Sequence, residues 1–477
     1  MIVSQPIDIV STDGWAQHEF AAVDFGDKRL NKRLIKIAQD FAKQPEASIP
    51  KAAGTWAATK ASYNFYNNQR VTDELILSSH IQATIERMNH QPVVLCVQDT
   101  TALNFTTHPD TKGLGTIGSQ QDRTIGIMVH DTLAFTPQGV ALGLIDLQSW
   151  TRPIEQYGKK VDRKNKPIDQ KESNKWLTSF QATSQIKRQL PDTLVVNISD
   201  RESDIYEYFE LATRTDERAE ALVRASHNRL VDHPEKYLWD VMANQQVSGT
   251  LTIEVPRQKN RPKRQAELSI RFAKVTLKRP DSIATPNMPE SIPVWAILAE
   301  EMNPPDHVEP ICWLLLTSIP LHSFDEAVEK VQWYTIRWQI ELFHKVLKSG
   351  CKTEQRQLQT AEKLIKCLTL DAIIAWRILL LTRLGREVPN LPCSVVFEEY
   401  EWKALYRYIH HTTELPDKEP TLQQAIRMVA QLGGFLGRKG DGEPGSTTIW
   451  RGMMRLRDIA DSYLIFSPQL PLPLTYG

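Results

Sequence analysis

Two short apolar runs, QPVVLCVQD and TLVVNISD, each close on an aspartate, Asp99 and Asp200, and this pairing constrains the fold more than any other feature. A brief aliphatic run bounded by polar residues reads as a strand buried on both faces. A strand ending on a carboxylate carries that group to a sheet edge, where hard cations can be held. A turn is the plainer reading of either aspartate alone, because Asp readily hydrogen-bonds its own backbone. Between the runs, GIMVHDTLAF and VALGLIDLQSW flank PQG and predict a hairpin. Arg152–Lys171, which contains YGKKVDRKNK, predicts a basic loop, and Glu172–Gln189 a helix. Strand, hairpin, helix, strand is compatible with an RNase H-like sheet.

The flanking regions have other periods. Residues 1–75 read as helical, and in Gly26–Gln44 the residues Leu30, Leu34, Ile37 and Phe41 recur at helical spacing. Lys28, Arg29, Lys32, Arg33 and Lys36 form an acid-free stripe on the other face. A solvated surface helix explains that stripe as well as a nucleic-acid contact does. The segments GTLTIEV, AELSIRFAKVTL, PVWAILAE and ICWLLLTS make residues 201–320 β-rich, with PRQKNRPKR as a basic hairpin tip or loop. From Asp325 to Ser349 the period is helical, and residues 360–477 are helical with breaks at PDKEP and GRKGDGEPGS. The expected class is a mixed α/β protein with helical flanks.

Charge and cysteine usage narrow the function. Lys+Arg and Asp+Glu both number 57, which excludes a polybasic tail or an acidic disordered chain. A nucleic-acid partner is not excluded, because local basic patches fit within a neutral total. The N-terminal sequence shows no signal-peptide pattern, and Asp371 and Arg377 interrupt the longest apolar stretch, so no membrane segment is expected. Five scattered cysteines without CxxC spacing argue for a reducing compartment and against a disulfide framework or structural zinc. GLGTIG at Gly113–Gly118 matches a dinucleotide fingerprint literally but lacks a preceding strand and a following apolar helix. Trp313 is a possible base-stacking residue, although core packing is the ordinary role of a tryptophan.

The segment VQWYTIRWQIELFHKVLKSG is more informative. Tyr334, Arg337, Glu341 and Lys348 sit at offsets 0, 3, 7 and 14, so on one continuous helix they share a face about 60° wide. Ile336, Ile340, Phe343 and Leu347 form a roughly opposite stripe. The first face offers a carboxylate among a phenol, a guanidinium and an ammonium. A carboxylate suits Mg²⁺, while Arg and Lys suit phosphate oxygens. The alternative is a surface helix with Arg337–Glu341 as an i,i+4 pair.

Tyr334-x2-Arg337-x3-Glu341-x6-Lys348 resembles the signature of the cut-and-paste DDE transposases of bacterial insertion sequences, the insertion-sequence-four family. YTIRWQIELFHKVLKSG is similar to the hairpin-forming, transposon-five-like members. So are QDTTALNF at Asp99, SDRESDIYEY at Asp200, LAEEMNPP with WLLLTS at Trp313, and QLGGF near the C-terminus. The resemblance implies an RNase H-like catalytic core with a β-strand insertion. The expected division is a DNA-end-binding domain at 1–75, a catalytic domain at 76–375 with the insertion at about 201–324, and a dimerisation domain at 376–477.

It further implies that Asp99, Asp200 and Glu341 are the catalytic, metal-binding triad for Mg²⁺, with Mn²⁺ able to substitute. Two such ions, about 4 Å apart, would serve nicking, hairpin formation, hairpin opening and strand transfer. Tyr334, Arg337 and Lys348 would hold phosphates, Trp313 would stack on a flipped base, and Arg224, His344 and Lys345 would approach the same DNA. Arg29 and Arg33 are the corresponding N-terminal DNA contacts, although Lys28 and Leu30 depart from the family pattern. The implied partners are transposon-end and target duplex DNA and a second copy of the chain, in the bacterial cytoplasm at the nucleoid. Competing readings are an RNase H-like nuclease without strand transfer and a non-catalytic, transposase-derived DNA-binding regulator.

Overall fold

Aliphatic residues alternate between two cores along the strand that leads to Asp99. Leu95 and Val97 pack on one side, Val94 and Cys96 on the other, so a sheet covered on both faces is dictated locally. The computed structural model describes residues 14–118, 123–153, 166–214, 218–255, 264–281 and 288–466. The basic tracts expected at Lys159–Lys166 and Arg257–Arg264 lie, but for Lys166 and Arg264, outside the described residues.

The strands are β1 (Val93–Asn104), β2 (Gly115–Thr116), β3 (Ile125–Phe135), β4 (Ala141–Trp150), β5 (Leu194–Ser199), β6 (Glu220–Arg224), β7 (Gly249–Val255), β8 (Arg264–Lys278), β9 (Ser291–Glu301) and β10 (Cys312–Thr317). They form one 10-stranded mixed sheet in the order β2-β3-β1-β5-β6-β10-β9-β8-β7, with β4 on β3. β1, β5 and β6 are parallel neighbours; β3 runs antiparallel to both β1 and β4. The expected hairpin is β3–β4. Its turn is closed by Thr136 N–H on the Val140 carbonyl (3.0 Å), with Gly139 at φ +84° where a side chain would be strained.

The β-rich stretch does not build a sheet of its own. β6 pairs in parallel with β5 and antiparallel with β10, so β7–β10 extend the sheet that holds Asp99. Local alternation reveals strands but not their partners, because pairing is non-local.

The N-terminal helices are α1 (Trp15–Glu19), α2 (Lys28–Lys43), α3 (Ile49–Ala53), α4 (Trp56–Asn67) and α5 (Asp73–Met88). Helices α6 (Asn174–Gln189), α7 (Tyr206–Thr213) and α8 (Leu238–Ala243) bury their apolar sides in the core that holds Val94 and Cys96. Helices α9 (Phe324–Thr335), α10 (Trp338–Lys345) and α11 (Ala361–Glu387) pack in the opposite core, together with α2 and α4. Helices α12 (Glu399–His410), α13 (Leu422–Leu432) and α14 (Ser446–Phe466) enclose a third cluster with the end of α11. Among the described residues no helix is long and apolar enough to cross a membrane.

Buried ion pairs join these layers. Arg87 of α5 grips both carboxylate oxygens of Glu19 at 3.0 Å, donates to the Leu142 carbonyl, and lies 4.4 Å from the Trp376 ring centroid. Arg356 grips Asp371 of α11 and donates to the carbonyls of Pro45 and Ala47. The chain before β1 is thereby fixed to both β4 and α11.

Candidate active site

Asp99 lies within β1, on the face toward α10, next in line after the buried Val97. Val97 pairs in register with Ile198 of the parallel neighbour β5, and Asp200 begins two residues further on. β5 ends just before Asp200 as expected, whereas β1 runs on past Asp99 to Asn104, so Asp99 stands mid-strand beside the end of β5 and not at a strand end. Asp200 also performs the local role expected of a turn residue, accepting Glu202 N–H at 2.8 Å, whereas Asp99 accepts Thr100 N–H at 2.8 Å within the strand. One carboxylate oxygen of each is used this way.

The helix expected over Asp325–Ser349 is not continuous. It breaks between α9 and α10, where Ile336, Arg337, Gln339 and Ile340 donate to carbonyls three residues back. It then ends in a π-turn over Val346–Gly350. Such tightening and widening change the rotation per residue, so helical period no longer relates Tyr334 to Lys348 as the sequence expects. Ile340, Phe343 and Leu347 are buried as the opposite stripe requires, and Ile336 is half-buried. Tyr334 is itself buried, and Glu341 is the exposed member.

Arg337 stands at the break and bridges the acidic residues. Nη1 lies 3.6 Å from Oδ2 of Asp99, and Nη2 lies 3.3 Å from Oε1 of Glu341. Burial disfavours its charge, but Tyr334, Asp99, Asp200 and Glu341 together hold the guanidinium above its ordinary pKa. Burial pushes Asp99 up to about 6; His344 and Arg337 pull against that shift, and Asp200 adds to it. Asp99 and Glu341 thus share a single guanidinium.

A second corner adjoins this one. The Trp313 ring of β10 meets Tyr334 edge-on, with centroids 5.4 Å apart. Arg224, at the end of β6, donates to the Cys312 carbonyl at 3.1 Å, beside Trp313. Burial raises the Tyr334 phenol, against the charges of Arg337 and Arg224. Lys348 is half-buried in the π-turn, and Lys345 is exposed. On α2, Lys28, Arg29, Lys32 and Lys36 are exposed and Arg33 is half-buried, over a core side of Leu34, Ile37 and Phe41. Arg29 folds back onto Asp27 at 3.0 Å.

His344 has a partner within the protein: its Nε2 lies 2.9 and 3.2 Å from the two oxygens of Asp131, and its side chain is only 12% exposed. Asp131 is fully buried on β3, directly opposite Asp99 in the β1–β3 register. Sequence reasoning overlooked Asp131. The available signal was an acid within GIMVHDTLAF on the same parity as Val129 and Leu133, which face the core.

Among the described residues no three His, Cys, Asp or Glu side chains close into a group that could hold a metal ion. Asp99 and Glu341 instead have the Arg337 guanidinium as their common positive charge. The donor set is all carboxylate, with no thiolate, which fits a hard divalent cation taking over that charge.

Residues 12–71 match the family model described as transposase DNA-binding, and residues 373–462 that of the transposase Tn5 dimerisation domain. Among solved structures, the chain is similar to one titled "Cryo-EM structure of piggyBac transposase synaptic complex with hairpin DNA", at a TM-score of 0.31 and 9% identity. That match covers 83% of this chain, which spans 58% of the other.

Proposed function

We propose that this chain, a Tn5-like transposase by its two terminal domains, cuts DNA at the ends of a mobile element and joins the freed ends to a target. The observation that carries this reading is the sharing of one guanidinium, Arg337, by Asp99 and Glu341, with Asp200 two residues past the register partner of Val97 on the neighbouring strand. An RNase H-like core is supported by the strand order: β1 lies between the β3–β4 hairpin and the parallel strands β5 and β6.

Asp99, Asp200 and Glu341 would hold magnesium, or manganese in its place, which would supply Lewis acidity to the attacking water or 3′-hydroxyl and to the leaving oxygen. The side chains around it do the positioning. Arg337 exchanges its carboxylate partners for phosphate oxygens, as a planar fork can. Lys348 and Lys345 add positive charge along the same strand. Trp313, held edge-on by Tyr334, offers an aromatic face to a base displaced when one strand attacks the other to form a hairpin. The outward stripe of α2 holds the duplex through its phosphates. One site serves nicking, hairpin formation, hairpin opening and strand transfer, because each is a displacement at a phosphodiester. A second copy, joined through the C-terminal domain, would hold the other end.

The test uses the full chain with duplexes carrying the element's terminal repeats and a supercoiled target plasmid. Magnesium-dependent nicks and hairpins at the repeat boundary, followed by joined products, support the reading. Cutting without joining from pre-cut ends leaves a nuclease, and binding without cutting leaves a regulator.

A further inference from the structure

We propose that Asp131 and His344 form a buried brace that sets the position of Glu341 against Asp99, so that both are positioning residues for strand cleavage. The inference rests on the catalytic reading above and adds residues outside the acidic triad.

Asp131 is a carboxylate on a central strand with no solvent exposure. Burying an ionised group is costly unless it is paired and hydrogen-bonded. Its partner is His344, which reaches both of its oxygens through Nε2. Burial opposes a charge on this ring, but Asp131 and Asp99 outweigh burial and raise the ring above its ordinary pKa.

Geometry gives the pair its purpose. Asp131 stands opposite Asp99 across the β1–β3 ladder, so the two carboxylates share one face of the sheet. His344 follows Glu341 by three residues on α10, within one turn and on the same side. The brace therefore links the strand pair carrying Asp99 directly to the turn carrying Glu341. It is needed because α10 is short, broken off from α9 at Arg337 and followed by a π-turn. Neither end passes on the rotation of a longer helix. The buried Ile340 and Phe343 fix how close α10 lies to the sheet, whereas the contact of His344 Nε2 with the Asp131 carboxylate ties its rotation to β3.

The experiment compares full-length Asp131→Asn, His344→Gln, the double variant and Glu341→Ala with the parent chain. Asn keeps the shape of Asp131 and an acceptor for the ring. Four readouts are taken: single-turnover nicking of saturating end duplex in Mg²⁺, end-duplex affinity in EDTA, Mn²⁺ affinity of the protein alone by calorimetry, and the melting temperature. The brace predicts a loss of about tenfold or more in nicking and in Mn²⁺ affinity, the usual scale for groups that orient metal ligands. End-duplex affinity in EDTA should stay near the parental value, while melting falls in the single variants, each of which breaks a buried pair. The double variant should be no worse than the poorer single one, because the two act as a unit. Parental nicking and Mn²⁺ affinity in Asp131→Asn, with Glu341→Ala inactive, overturns the brace alone. Active Glu341→Ala overturns the catalytic reading and the brace with it. Loss of DNA affinity in step with nicking makes the pair a fold anchor and also overturns the proposal.

Discussion

Nη1 of Arg337 lies 3.6 Å from Oδ2 of Asp99, which ties the start of α10 to β1, an interior strand of the sheet. The same guanidinium reaches Glu341 on the next turn, so α10 presents its carboxylate toward β1 rather than to open solvent alone. Glu341→Ala should lower end cleavage by about a thousandfold, the scale of several kcal/mol that ion-assisted phosphoryl transfer contributes. Gel-shift affinity for end duplex in EDTA should change little. Cleavage retained at the parental rate would remove Glu341 from the catalytic set.

Trp313 and Tyr334 meet edge-on at 5.4 Å, an arrangement that holds the indole without covering both its faces. Stacking on a displaced base is worth about 1–3 kcal/mol. Trp313→Ala should therefore nick ends normally and form hairpins about tenfold to a hundredfold more slowly, read on denaturing gels as nicked strand accumulating over hairpin. An unchanged ratio of hairpin to nick would remove the stacking role.

The exposed cations of α2 predict salt-dependent binding. Each Lys or Arg that contacts a phosphate adds about one unit to the slope of log affinity against log salt. Lys32→Ala and Arg33→Ala should each flatten that slope by about one in the full chain. Arg29→Ala should do less, because Arg29 is engaged by Asp27. Parental slopes in all three variants would leave α2 as a solvated surface helix.

Glu19 and Arg87 set the stability of the layer before β1. Breaking a buried pair on one side costs about 3–5 kcal/mol, so Arg87→Met should lower the urea midpoint clearly while cleavage chemistry in the folded fraction persists. An unchanged midpoint would show that the pair contributes nothing net.

The same network predicts acid sensitivity. Burial raises the Glu19 carboxyl, but Arg87 and His80 outweigh it and lower it from 4.5 to about 2. Its stabilising effect is full above pH 4.5 and is lost as pH falls from there toward 2. Burial lowers His80 from 6.5. The His80 Nε2 accepts Leu144 N–H at 2.8 Å while Nδ1 faces Glu19 at 2.5 Å, which is the pattern of a neutral ring protonated on Nδ1. The unfolded ring takes a proton below about pH 6.5 that the folded ring refuses, so this contribution also falls with acid. Urea midpoints should decline steadily from pH 7 to 3.5, and a flat profile would refute the assignment.

Local sequence alone determined the strand runs into Asp99 and Asp200, the β3–β4 hairpin and the amphipathic α2, because side-chain alternation and turn chemistry act over a few residues. The approach of Glu341 to Asp99 through Arg337 was legible only through a motif resemblance, not through spacing. Tertiary structure decided the rest. It joined β6–β10 to the same sheet, since strand pairing is settled between distant segments. It broke the Asp325–Ser349 helix at Arg337, where packing against β1 and the acidic residues competes with the regular backbone ladder. It also turned His344 inward, because the buried carboxylate of Asp131 needs a partner, and a carboxylate on another strand is invisible to helical periodicity.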